Sequence, residues 1–311
     1  MGAPATIPAG ATAGVPKPRP RRQRRSELKG WLFLAPALIL NVGVILVPAL
    51  LTAGLAFTDW NGISTPKLVG LKNFRDLAAD PVFWGALWNN VKWTLIFLTV
   101  PIIMALVVAS MLLTVRWGRN LFQTIYFIPM VVATVISARV WQQMIFHPIS
   151  GVLGWLSQHG LNPFGGNPLT NPSTALYSVA FVDNWHWWGF IAVIFFAALR
   201  QIDPALLEAA DMEGAGFWQR MRHVSLPLIR PTIVLMMIMT IIWSFLVFDF
   251  IYVITQGGPG YSTEVLATLT YKRAFETFQA GQASAIALVM SALGGVAIAA
   301  YVWLQSRGWD V

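Results

Sequence analysis

ALWNNVKWTLIFLTVPIIMALVVASMLLT, residues 86–114, settles the class of this protein. Lys92 is its single ionisable side chain. A helix rises about 1.5 Å per residue, so the run exceeds the roughly 20 residues that cross a hydrocarbon core of about 30 Å. Its apolar residues do not alternate, as a barrel strand of about ten residues would require, so helix is the remaining state. Working outward, five further runs share this character, near residues 31–57, 121–146, 175–199, 232–255 and 283–305. The reading is an all-α polytopic membrane protein with six transmembrane helices.

The composition agrees. The 311-residue chain is 56% hydrophobic and 11% charged, whereas soluble domains are about 25% charged. An ordinary soluble enzyme, a disordered chain and a secreted disulfide scaffold are excluded. There is no cysteine, so thiolate metal sites are excluded as well. The net charge of +8 does not mark a nucleic-acid binder, because seven of the 21 Lys and Arg lie in one N-terminal arm. That arm, residues 1–30, is rich in Ala, Gly and Pro and then basic, and reads as disordered. The apolar run after it is too long for a signal peptide, so the arm is expected to be retained. Residues 31–311 form the transmembrane domain.

Charge asymmetry orients the spans. With the N-terminus in the cytoplasm, fourteen Lys and Arg fall on the cytoplasmic side and five on the outer side. Six crossings then return the C-terminus to the cytoplasm. The outer loop from residue 147 to 171, rich in Gly, Pro and Asn, is expected to be irregular.

The cytoplasmic loop at 200–231 reads RQIDPALLEAADMEGAGFWQRMRHVSLPLIRP. Asp203 followed by Pro204 is a helix start, a capping carboxylate before a proline at the first helical position. The helix carries Glu208, Ala209 and Ala210, and Gly214 ends it as the residue that accepts a left-handed backbone. A second short helix is expected from Phe217 to about Val224, ending before Leu226-Pro227. Two short helices on a glycine turn, held outside the membrane, suit docking into a partner's groove.

Glu208-Ala209-Ala210, Gly214-Ala215 and Leu226-Pro227, with Val224 between, resemble the EAA loop of binding-protein-dependent ABC importer permeases. Glu213 and Val224 are conservative departures from that pattern, where Asp and Ile are commoner. The stretch FDFIYVITQGGPGYSTEVLATLTYKRAF, residues 248–275, and LVGLKNFRDL, residues 68–77, are similar to the sugar-uptake branch, and to its larger maltose-permease-like subunit in particular. The resemblance implies a second homologous permease subunit, an ATPase dimer that holds ATP and Mg, an extracytoplasmic solute-binding protein and a carbohydrate substrate. It also implies that Glu208, Ala209, Ala210, Gly214, Ala215, Leu226 and Pro227 couple this chain to the ATPase. No phosphate-binding loop occurs in the chain, so no cofactor is expected in it. His147, His159, His186 and His223 show no metal-ligand spacing, and neither a catalytic set nor a metal site is apparent.

Polar groups inside the spans remain. Arg139, Asp183 and Asp249 fall in the outer thirds of spans 3, 4 and 5, and buried charges must be paired, so Arg139 is expected to pair with one of the aspartates. The other reading is an outer vestibule lined by these charges. Asn184, Trp185 and Trp187 lie about halfway through span 4. Thr240 and Ser244 lie one turn apart on one face of span 5. These five residues are candidates for the substrate path, with packing or local hydrogen bonding as the alternative. A self-sufficient secondary transporter of a small polar solute is the alternative function; it requires inverted repeats and a coupling-ion site, and no clear repeat between spans 1–3 and 4–6 is visible.

Overall fold

The computed structural model describes residues 22–306 except 116, 163 and 165. The expected arm up to residue 21, together with Arg116 and Arg307 of the charge count, lies outside the described residues. The described residues divide into two compact units, one up to residue 51 and one from residue 52 onward. The first unit holds α1 (Arg22–Asn41), a five-residue π-turn and the start of α2 (Val47–Leu55), which the boundary at residue 51 divides. Helix therefore covers residues 22–30, inside the stretch expected to be disordered.

In the second unit a two-stranded antiparallel ribbon, β1 (Thr58–Asp59) and β2 (Lys67–Leu68), precedes α3 (Lys72–Ala79). The span quoted at the outset is α4 (Pro81–Thr114). It starts five residues before the expected boundary, and for the reason given for Asp203-Pro204. Asp80 Oδ1 accepts from Val82 N at 2.9 Å and Pro81 takes the first helical position. Among the described residues, five helices are long and apolar enough to cross a membrane. A sixth crossing arises if α5 (Arg119–Val131) and the helix from Thr134 to Ile145 count as one span.

That pair corrects the expected third span at 121–146, because it bends by 94° at Val132–Ala133. Both residues are extended, with ψ of 132° and 133°. The local run Val131, Val132, Thr134, Val135 is β-branched and lowers helix propensity, and Pro129 removes a donor just before it. The second half is α6 (Thr134–Val140) and a π-turn. The loop expected to be irregular contains α7 (Val152–Gln158). Its Gly151 and Gly154 lie so close to the backbone of His147 and Pro148 that a Cβ would collide.

The fourth span is α8 (Ala175–Arg200). It packs chiefly on α4 and α5, and Gly189 permits the approach, since a Cβ there would overlap Tyr126 O. Then come α9 (Pro204–Met212), α10 (Phe217–Arg220), a π-turn, α11 (Leu226–Leu228) and α12 (Arg230–Leu246). Leu226-Pro227 does not end the second short helix as expected. The helix runs through the π-turn and on past Pro227 to Leu228, and after Ile229 a new helix starts with Pro231 in its first turn, where no backbone N–H is needed. The fifth span breaks at Val247–Phe248 and resumes as α13 (Asp249–Ile254). After the loop comes α14 (Leu266–Tyr271), a π-turn, and the last span, α15 (Ala280–Ser306).

Two buried clusters hold the second unit together. One joins Trp93, Phe97, Val179, Ile191, Phe195 and Ile251 across α4, α8 and α13. The other joins Leu77, Phe83, Ala86, Leu266 and Ile286 across α3, α4, α14 and α15.

Candidate functional site

The chain builds two distinct sites. The first is the α9–α10 turn. Asp203 Oδ1 caps α9 by accepting from Ala205 N at 2.9 Å. At the other end Gly214 takes φ +78°, Ala215 N donates to Ala210 O at 3.0 Å, and Gly214 N donates to Asp211 O at 3.0 Å. These are the two bonds of a Schellman stop, and the left-handed residue they need is the glycine. Beyond the turn, Gln219 Oε1 accepts from Gly216 N at 2.9 Å, closing the start of α10. Arg220 Nη1 reaches back to both carboxylate oxygens of Asp211, at 2.6 and 2.7 Å, and bridges the two short helices across the turn. Leu206, Met212 and Trp218 are left exposed on this rigid corner, as are Glu208 and Ala209. Ala210 and Ala215 are half-buried at the turn. Leu226 packs against the larger buried cluster, while Pro227 is exposed.

The second site is a cavity of about 380 Å³. It opens where the third and fifth spans break: Met130 and Thr134 flank the first break, and Leu246, Val247, Phe248 and Asp249 form the second. Irregular backbone at membrane depth is tolerated where it lines a cavity, which accounts for both interruptions. Trp93 and Phe97 of α4 contribute aromatic walls, their rings stacked at 5.3 Å. Trp187 of α8 meets Trp243 of α12 edge to face at 3.9 Å between centroids.

Trp187, Thr240 and Ser244 of the candidate substrate path, and Asp183 and Asp249 of the separate charged set, all line this cavity. Ser244 Oγ donates to Thr240 O at 2.7 Å, the local bond weighed against a substrate role. Thr240 Oγ1 is buried without a partner. Asn184 and Trp185 face elsewhere. Asn184 Nδ2 contacts Met104 Sδ at 3.5 Å, and Trp185 packs on Trp141 at 5.4 Å. Arg139 corrects the expected charge pairing. It is exposed and donates from Nη1 to Gln142 Oε1 at 2.9 Å, rather than to either aspartate. The π-turn following α6 brings Gln142 next to it, and Gln142 Nε2 in turn donates to Ile254 O at 2.9 Å.

Trp93, Phe97, Trp243 and Phe248, none of them a candidate from the sequence, also line the cavity, as does His186, weighed from the sequence only as a metal ligand. Trp243 had a readable signal, since it is adjacent to Ser244 in the same mid-depth turn. Trp93 and Phe97, one turn apart in a uniformly apolar span, had none. Among the described residues no group of three or more His, Asp or Glu is placed to hold a metal ion.

Residues 94–309 match the family described as binding-protein-dependent transport system inner membrane component. The chain is 36% identical to the probable ABC transporter permease protein YurN of Bacillus subtilis (strain 168), over 86% of this chain and 92% of that protein. It is 31% identical to the trehalose/maltose transport system permease protein MalF of Thermococcus litoralis, over 80% of this chain and 84% of that one. Its fold is similar to a chain of a bacterial alginate ABC transporter solved in complex with an alginate pentasaccharide-bound periplasmic protein. The TM-score is 0.80 at 24% identity, covering 93% of this chain and 98% of that one.

Proposed function

The chain belongs to the family of binding-protein-dependent transport system inner membrane components, and from that premise we propose that it is the membrane-spanning subunit of an ATP-driven saccharide importer. It is a multi-span transport permease and not an enzyme. An extracytoplasmic solute-binding protein delivers a sugar or oligosaccharide, and the chain forms part of its path through the membrane.

The observation that carries the saccharide reading is the composition of the cavity. Indole rings of Trp93, Trp187 and Trp243 stand beside the hydroxyls of Thr134 and Thr240 and the carboxylates of Asp183 and Asp249. Flat apolar faces suit the C–H faces of a pyranose, and the oxygens suit its hydroxyls, the mixture of apolar wall and few placed polar groups that small-molecule sites use. The name of the Thermococcus litoralis relative supports the same substrate class.

The α9–α10 corner is the proposed coupling element. Its exposed Leu206, Met212 and Trp218 offer an apolar face to a groove on an ATPase subunit. Glu208, Ala209, Ala210, Gly214, Ala215, Leu226 and Pro227 hold or present that face. ATP and Mg belong to the ATPase dimer, and a second homologous permease subunit completes the membrane portion. Closure of the ATPase pulls on the corner, and the spans respond as rigid bodies that expose the cavity to alternate sides. The surplus of Lys and Arg on the N-terminal arm and on the loops that share its side of the membrane supports cytoplasmic termini in the cell membrane.

The test is uptake of labelled saccharides, trehalose and maltose first, into proteoliposomes holding the full assembly with its binding protein. Uptake is expected to require ATP, the ATPase subunit and the binding protein together. Uptake that persists without the ATPase would instead favour a self-sufficient secondary transporter, a reading that the family match does not support.

A further inference from the structure

Asn90 is fully buried in the outer part of α4 and is not a cavity-lining residue. Both ends of its amide are used. Nδ2 donates to Ser244 O at 2.8 Å, and Oδ1 accepts from Leu266 N at 2.8 Å. Each partner is a backbone group that a helix terminus leaves over. Helix α12 stops at Leu246, with Val247 at ψ 122° and Phe248 at φ −137°. Ser244 O therefore has no further helical turn to bond. Helix α14 begins at Leu266 behind Val265, whose side chain has no acceptor to cap it. A single asparagine caps the end of one helix and the start of another, and ties both to α4.

Its neighbour Asn89 extends the grip. Asn89 Nδ2 donates to Ser262 O at 3.0 Å and Glu264 O at 2.9 Å. The loop so held is fastened from its other side. Fully buried Glu264 pairs with Lys272 Nζ at 2.5 Å, and the same ammonium donates to Gln256 O at 2.8 Å. The last turn of α12, the break at Val247–Phe248, the loop to residue 265 and α14 are thus fixed to one stretch of α4. Ser244 and Leu246 to Phe248 in this assembly form one wall of the cavity.

Resting on the transport reading, we propose that Asn90 is a positioning residue: it pins the broken fifth span and α14 to the second span, so that this wall of the cavity swings as one body. Asparagine supplies a donor and an acceptor on one short planar group. Aspartate keeps the acceptor for Leu266 N but turns lone pairs against Ser244 O, and leucine offers neither. Without the pin the wall parts from α4 at the break, and opening of the cavity no longer follows the nucleotide state.

The chain has no cysteine, so Leu246→Cys, an exposed position on the cavity wall, reports access. The complete transporter in proteoliposomes is labelled from the binding-protein side with a membrane-impermeant methanethiosulfonate, nucleotide-free and trapped with ADP and vanadate. With Asn90 present, the labelling rates in the two states are expected to differ by roughly tenfold. In Asn90→Leu and Asn90→Asp the ratio is expected to fall below about twofold while the ATPase co-purifies normally. A merely structural role would lower assembly and leave the ratio intact. Should Asn90→Leu fail to assemble, the isosteric Asn90→Asp decides. An unchanged ratio in the variants overturns the proposal; absence of state dependence with Asn90 in place overturns the transport reading instead.

Discussion

Gly214 is the residue on which the α9–α10 corner, the proposed coupling element, turns. A Cβ built there meets no atom within 4 Å, so nothing crowds the site. The requirement is the backbone alone, at φ +78°. A left-handed conformation costs an ordinary L-residue about 1–2 kcal/mol, more for a branched one, while asparagine tolerates it. Gly214→Asn should therefore keep the corner, and Gly214→Val should strain the turn that Arg220 and Asp211 bridge. The measurement is co-purification of the ATPase together with sugar-stimulated ATP hydrolysis. Normal values for Gly214→Val in both would sink the coupling assignment. Glu208 lies exposed on the first of the two helices, and its replacement by Ala leaves the turn geometry untouched, so a milder loss is expected.

The elements that matter most are the interrupted ones. The third and fifth spans both read as continuous apolar runs, and both break beside the cavity. What holds the first half of the bent third span is contact with α8, where Gly189 faces the carbonyl of Tyr126. Inserting even one methyl at that contact forces the helices apart, a cost of about 1–3 kcal/mol for overpacking. Gly189→Ala should lower the thermal unfolding midpoint of the solubilised protein. Gly85→Ala, where a Cβ meets nothing within 4 Å, should leave it unchanged or raise it. Equal midpoints for the two variants would mean that the α5–α8 approach is not a closely packed contact.

For the molecule as a whole, the claim to test is direction across the bilayer. The proposed arrangement puts the α9–α10 corner on the cytoplasmic side, with the ATPase, and the loop that contains α7 on the outer side of the membrane. A reporter fused after Gly160 is expected to read as external and one fused after Gly216 as cytoplasmic. The reverse pair would invert the topology and with it the assignment of both sites. The cavity belongs to this scale as well. It draws on α4, the third span, α8, α12 and α13, and no single element contains enough of it to bind anything.

The helical class, the positions of most crossings and the two-helix corner were all legible in the residues. Each depends on local physics: the length of an apolar run, a carboxylate before proline, a glycine where the backbone must turn left. The same carboxylate-proline rule, applied at Asp80-Pro81, would have given the start of the second span. The breaks at Val132–Ala133 and Val247–Phe248 were not legible. A β-branched run with Pro129 precedes the first and Asp249 follows the second, yet such residues do not by themselves break a span, as Pro101 inside the unbroken α4 shows; helix is abandoned at these two points where a cavity accepts the freed backbone groups. Asn90 shows the same limit, since its two partners lie 154 and 176 residues away. Arg139 was read as needing a charge because it falls within an apolar run; folding left it exposed beside Gln142, where a neutral amide suffices. Local backbone chemistry is written in neighbouring residues, whereas cavities and long-range caps exist only once distant segments are packed together.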